Sequence, residues 1–393
     1  MDPRMLALGR QSSVIREIFE YGNARRREIG AENVFDFSLG NPSVPTPGKV
    51  TKAMRELLEG DPVALHGYTS APGDPKARAA VAAHIEKRFG VPASLENVYM
   101  TCGAAAALTI TLSAIVRQED EVVIIAPFFP EYDVFVRTAG GRPVVLRTKA
   151  PSFLPDPGAL AAVVNEKTAA VIVNYPNNPT GAIWDGETLS AFVRVLEEKQ
   201  KTLGRDIYII SDEPYRELTY GKPVPYVPKY YKNTVVCYSY SKSLSLPGER
   251  IGYIFVPSAA ADASDLFAAV CGAGRALGYV CAPSLLQRTA AMCVDLPPDL
   301  AAYRENRDLL YNALTEYGYE CVPPDGAFYL FVKSPEPDAG SFAERAKKYE
   351  LLLVPGDSFG GPGYVRISYC VSTAMIEKSL PAFKKLIGEY QNG

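Results

Sequence analysis

The chain is expected to fold as an α/β protein, with a large domain around a mostly parallel sheet sandwiched by helices and a smaller α+β domain. Three observations predict this. Between residues 98 and 256, short β-branched runs alternate with segments of helical periodicity, as strands buried on both faces by crossover helices do. Directly after five of those runs stand chemically capable residues, where ligands bind at the carboxyl ends of strands in open α/β sheets. Past Pro283 the pattern changes to a helix-rich part over 298–317, strands at 327–332, 351–354 and 364–369, and a helix ending near 387.

Each element has its own reason. Val14, Ile15, Ile18 and Phe19 stand at helical spacing in an otherwise charged segment, which predicts an amphipathic helix within the first 30 residues. Residues 34–37 alternate like a strand and run into Ser38-Leu39-Gly40-Asn41-Pro42, where Gly and Pro mark a turn. Residues 67–75 form a polar loop, and Pro75 can open the helix that follows. Strands are expected at 98–100, 122–125, 169–173, 207–210, 235–237 and 251–256. Gly103, Phe129, Asn178, Asp212 and Lys242 follow the first five, so one crevice can gather them. The proline-rich stretch 222–228 reads as an extended loop.

Composition narrows the function classes. With 393 residues, 47% hydrophobic and 22% charged, the chain can bury a large core and form two domains. A net charge of -3, with no basic run beyond Arg25-Arg26-Arg27, gives no electrostatic case for nucleic acid or an anionic membrane. There is no signal-peptide pattern and no apolar stretch of membrane-spanning length, so a cytoplasmic location is expected. Seven cysteines without a Cys-x-x-Cys pair argue against a disulfide framework, and two histidines, His66 and His84, against a metal site.

The stretch 238–252 is chemically the most specific. Ser239 and Ser241 flank Lys242, and Arg250 follows eight residues on: hydroxyl donors and a guanidinium fork suited to a phosphate, beside an amine that can condense with an aldehyde. Taken alone, a serine-rich surface loop with a solvated lysine fits as well. Thr101-Cys102-Gly103-Ala104-Ala105-Ala106 joins a strand to a helix with residues small enough for an anion to reach free N–H groups; a helix-packing alanine run is the alternative. Asn178 in Asn177-Asn178-Pro179-Thr180-Gly181 precedes a proline and is therefore held extended. Asp212 ends an apolar strand, where a carboxylate is costly unless paired, and Arg366 lies in an apolar strand, where a guanidinium needs an anion. A structural salt bridge is the competing account of Arg366. The glycines at 272, 274 and 278 imitate a dinucleotide fingerprint, but the last is one place late and the preceding segment is helical in pattern, so nicotinamide binding is discarded.

In their order along nearly the whole chain, these motifs resemble the fold-type I pyridoxal-phosphate enzymes, specifically the aspartate aminotransferase superfamily, class I/II. Ser239-x-x-Lys242, with Arg250 and Gly252 behind it, carries the resemblance, together with the Asn-Pro-Thr-Gly run. It implies a seven-stranded sheet and a small domain formed by both termini, with an N-terminal small-domain segment at 1–44, the cofactor domain at 45–285 and the rest of the small domain at 286–393. It implies that Lys242 holds pyridoxal 5'-phosphate, that Asp212 faces the pyridine nitrogen, and that Tyr215 and Asn178 reach the phenolic oxygen. Phe129 is then the ring-face aromatic. Backbone N–H groups of Gly103, Ala104 and Ala105 bind the phosphate with Ser239, Ser241, Arg250 and, from a partner subunit, Tyr68, so a homodimer with shared sites is expected. Arg366, Gly40 and Asn178 would hold the substrate carboxylate.

The reaction so implied is transamination of an L-amino acid with a 2-oxo acid, 2-oxoglutarate being the expected acceptor, with Lys242, Asp212 and Tyr215 as catalytic residues. Two alternatives stay open: a carbon-sulfur lyase on the same scaffold, and a non-enzymatic cofactor sensor. In the aspartate-selective bacterial branch a lysine assists the distal carboxylate where this chain has Ala105. Arg275 is the candidate replacement and would favour aspartate or a broad substrate range; aromatic substrates or alanine are the alternative.

Overall fold

The computed structural model describes residues 1–10 and 14–391, which divide into two compact units. One contains residues 44–177 and 183–299; the other contains 1–43, 178–182 and 300–393.

The first unit is built on a seven-stranded sheet: β1 (Val98–Thr101), β2 (Glu121–Ala126), β3 (Arg142–Arg147), β4 (Thr168–Asn174), β5 (Tyr208–Asp212), β6 (Thr234–Ser239) and β7 (Gly252–Phe255). Their spatial order is β1-β7-β6-β5-β4-β2-β3. Only β7 runs antiparallel to its neighbours, so the other six strands end on the same edge. Two-residue periodicity splits each strand except the edge strand β3 between two cores. In β2, Val122 and Ile124 pack with Leu108, Leu112 and Val270, while Val123 and Ile125 pack with Leu160, Phe192 and Leu196.

Six of the seven strands were expected individually. The seventh, β3, is the edge strand: of Arg-Pro-Val-Val-Leu-Arg only Leu146 is buried, so the hydrophobic signal that marks the central strands is absent. Pro75 does open a helix, Pro75–Phe89, and Asp74 caps it by accepting from the N–H groups of Lys76 and Ala77. The segment around Gly272 and Gly274 is the interior of the helix Ala263–Ala276, not a strand-to-helix turn.

The second unit draws on both chain ends, as expected. The strand Phe35–Asp36, shorter than the 34–37 run suggested, pairs in parallel with Leu351–Leu352. An antiparallel sheet of Val354–Pro355, Tyr364–Ser368, Tyr329–Lys333 and Cys321–Val322 accompanies it, with helices Ala301–Tyr317 and Thr373–Gln391. The predicted N-terminal amphipathic helix is Val14–Ile29, whose Ile18 joins Val34, Leu352 and Val354 in a small core. Asp36 anchors the segment: it pairs with Arg26 at 2.7 Å and accepts from the Ser38 backbone and hydroxyl at 2.9 and 2.6 Å. No helix among the described residues is long and apolar enough to cross a membrane, and no group of three or more His, Cys, Asp and Glu there could hold a metal ion.

Candidate active site

In the sheet unit, the site residues are placed by what happens as each strand ends. Strand β6 does not open into the serine-rich surface loop that the stretch 238–252 taken alone would allow. It passes directly into a one-turn helix, Tyr240–Ser243, that carries the lysine. Ser239 makes this possible as the N-cap: its hydroxyl accepts from the Ser241 N–H at 3.1 Å and lies 2.7 Å from the Ser241 hydroxyl. The serines read as phosphate donors thus also hold the turn that presents Lys242.

At the end of β1, Gly103 begins the helix Gly103–Ile115, so the N–H groups of Gly103, Ala104 and Ala105 have no acceptors within the helix. Gly103 has φ +79°, and a Cβ there would stand 2.8 Å from Nη2 of Arg250. A guanidinium and a bare helix N-terminus therefore adjoin each other, an arrangement suited to a phosphate. Arg250, itself at φ 53°, is steadied by donating from Nη1 to the Pro247 carbonyl at 3.1 Å. Gly252 must be glycine because a Cβ would come within 2.2 Å of the Tyr238 carbonyl oxygen.

Asp212 is the last residue of β5 and is 4% exposed. Its Oδ2 accepts from the buried Tyr132 hydroxyl at 2.5 Å, while Oδ1 has no hydrogen-bond partner among the described residues. Burial is the main cause that pushes its carboxyl up to about 7; the Tyr132 hydrogen bond opposes this and the charge of Glu213 adds to it. Glu213 itself is engaged elsewhere, accepting from the Ser211 hydroxyl and pairing with buried Arg216. Phe129 is half-buried and meets Tyr132 edge-to-face at 5.7 Å. Tyr215 is buried just beyond β5. Tyr68 is 95% exposed, and Arg275 is exposed in the last turn of its helix.

The other unit brings together Gly40, Asn178 and Arg366. Arg366, on the strand Tyr364–Ser368, is 2% exposed. It donates from Nη1 to Oδ1 of Asn178 at 3.1 Å and from Nη2 to the Ser38 carbonyl at 2.5 Å. The rings of Tyr329 and Phe359 lie 4.6 and 4.8 Å from the guanidinium, holding it by cation–π attraction. A Cβ on Gly40 would come 2.1 Å from the Tyr329 hydroxyl, so only glycine lets the tyrosine lie there.

Sequence reasoning gave no role to Tyr132, Tyr329 or Phe359. Tyr132 stands three residues after Phe129, but nothing in that spacing points at a carboxylate 80 residues away. Aromatics in apolar surroundings read as core.

The mostly parallel sheet thus carries, where its strands end, a lysine on a serine-capped turn, a buried acid and a helix N-terminus suited to an anion. The chain belongs to the class I and II aminotransferases, whose family profile matches residues 32–383. An aspartate aminotransferase from Pyrococcus horikoshii is 30% identical, with 95% of this chain and 94% of that protein covered. Among solved structures, an aminotransferase from Eubacterium rectale superposes with a TM-score of 0.97 at 53% identity, covering 99% of each chain. The Thermus thermophilus aspartate aminotransferase with maleate gives 0.86 at 28% identity, covering 97% of this chain and 98% of that one. Members of the family work with pyridoxal phosphate, and the chain is accordingly a transferase of nitrogenous groups.

Proposed function

We propose that the protein binds pyridoxal 5'-phosphate at Lys242 and transaminates an L-amino acid, with aspartate preferred or within a broad range, using 2-oxoglutarate as acceptor. The observation that carries this reading is the buried Asp212 carboxylate, one oxygen held by Tyr132 and the other without a partner among the described residues. A buried carboxylate so disposed calls for a cation, and a protonated pyridine nitrogen is one. The Gly103–Arg250 pair fits the phosphate of the same molecule.

When bound, the cofactor supplies the electron sink that makes the substrate α-proton labile. The chain's own residues do the rest. Asp212 Oδ1 keeps the ring nitrogen protonated. The helix N-terminus at Gly103, Ala104 and Ala105, the hydroxyls of Ser239 and Ser241, and Arg250 anchor the phosphate. Phe129 covers the ring face, and Tyr215 and Asn178 donate toward the phenolic oxygen. Lys242 Nζ is the general base that takes the proton from the α-carbon. Arg366, with Asn178 and Gly40, receives the α-carboxylate as a bidentate fork.

The reading includes a homodimer in which exposed Tyr68 serves the partner's phosphate, implied by the family resemblance, and a cytoplasmic location, expected from a sequence without a signal-peptide pattern. The preference for aspartate rests on the names of relatives and on Arg275; aromatic substrates or alanine are the second reading. Product analysis tests the reaction class. Amino acid plus 2-oxoglutarate should yield the matching 2-oxo acid and glutamate, whereas pyruvate plus ammonia from a cysteine-type substrate, without need of an acceptor, would indicate a lyase.

A further inference from the structure

We infer that Tyr132 is the positioning residue of the ring-nitrogen contact, fixing through its hydroxyl which oxygen of Asp212 faces the cofactor and meeting Phe129 edge-to-face with the same ring. The inference rests on the pyridoxal-phosphate reading above. Tyr132 sits in the first turn of the helix Glu131–Thr138, close behind the end of β2, and is 2% exposed. Its ring belongs to the buried core that also contains Leu108 and Val136, and a close-packed core leaves its hydroxyl little freedom to leave Asp212. Burial, together with the charge of Asp212, pushes the phenol well above its ordinary range, which makes it a proton donor at any working pH.

A carboxylate has two equivalent oxygens and a free χ2 rotation, so something must decide which one is offered. Here Tyr132 makes the decision. Oδ2 is occupied by Tyr132, and Oδ1 remains. The strand end supplies no substitute: Asn174 donates to the Asp212 main-chain carbonyl at 2.9 Å, not to its carboxylate. The other titratable groups whose charge reaches the pair are Glu213, Tyr215 and Cys237; Glu213 is bound to Ser211 and Arg216, and the Cys237 thiol meets the Thr111 hydroxyl. Removing the Tyr132 hydroxyl therefore leaves Oδ2 buried without a donor, and the carboxyl group free to turn or to retain its own proton.

The test compares the affinity of the apoprotein for pyridoxal phosphate with that for its 1-deaza analogue, in which carbon replaces the ring nitrogen. The ratio of the two dissociation constants isolates the nitrogen contact. Tyr132→Phe keeps the edge contact to Phe129 and should lower the ratio about tenfold, the worth of one hydrogen bond to a charged group. Asp212→Ala is the reference for complete loss. If Asp212→Ala loses the discrimination and Tyr132→Phe retains it, Tyr132 is not the positioning residue. If wild type does not discriminate, or Asp212→Ala still does, the assignment of Asp212 to the ring nitrogen fails instead. Equal weakening of both ligands in Tyr132→Phe would mark a purely structural tyrosine and overturn the inference.

Discussion

Arg366 and Asn178 lie 188 residues apart in sequence, yet the Nη1 of one donates to the Oδ1 of the other at 3.1 Å. The guanidinium is also fixed by the Ser38 carbonyl and two aromatic faces, so it is oriented before any substrate arrives. Preorganisation of this kind favours a planar fork over a point charge. Arg366→Lys is expected to lose about 2 to 5 kcal/mol in kcat/KM, with the absorption spectrum of the bound cofactor unchanged. Steady-state kinetics against absorbance checks this; a kcat/KM near wild type would remove Arg366 from the carboxylate clamp.

Asp212 should give the cofactor-free protein a measurable pH dependence. Its folded pKa of about 7 lies above the ordinary 3.8, so between these values the native state holds a proton that the unfolded chain has released. Stability contributed by that proton is complete below 3.8 and is lost as pH rises through about 7. Urea unfolding of apoprotein across this window should show wild type falling relative to Asp212→Asn. Parallel curves for the two would contradict the burial-driven shift.

Gly103 is required both by its backbone and by its neighbour. Gly103→Ala forces φ +79° on a residue with a Cβ and sets that carbon 2.8 Å from Arg250 Nη2. A strain of about 1 to 3 kcal/mol is expected, together with weaker binding of pyridoxal phosphate as Arg250 is displaced. Gly272→Ala is the control: it lies in a helix with nothing within 4 Å of the added carbon, and should gain up to about 1 kcal/mol. Thermal unfolding and cofactor titration separate the two cases; equal effects would refute the argument.

The parts of this fold that were legible were those where one physical signal dominates. Central strands announce themselves because both faces are buried, and Asp212 and Arg366 because charge in apolar sequence is expensive. Edge strand β3 was hidden by its half-exposed, proline-containing sequence. The helical turn carrying Lys242 depends on a single serine cap, too short a pattern for periodicity to reveal. Tyr132, Tyr329 and Phe359 escaped notice because their roles arise only through tertiary contacts with a carboxylate or a guanidinium distant in sequence.

Arg275 is proposed as the residue that sets the substrate preference. Ala105 offers no cation for a distal carboxylate, whereas Arg275 is exposed and charged near the end of its helix. Arg275→Ala should lower kcat/KM for aspartate by about 2 kcal/mol or more while sparing phenylalanine and alanine. Equal losses on all three substrates, or none, would show that Arg275 is not the distal clamp.

Lys242 is proposed as the residue that holds the cofactor. Borohydride reduction of the protein loaded with pyridoxal phosphate, followed by peptide mass spectrometry, tests it most directly. A pyridoxyl group is expected on the peptide containing Lys242, and Lys242→Ala should give folded but unlabelled, transamination-inactive protein. Labelling at another lysine, or equal labelling and activity in Lys242→Ala, would contradict it.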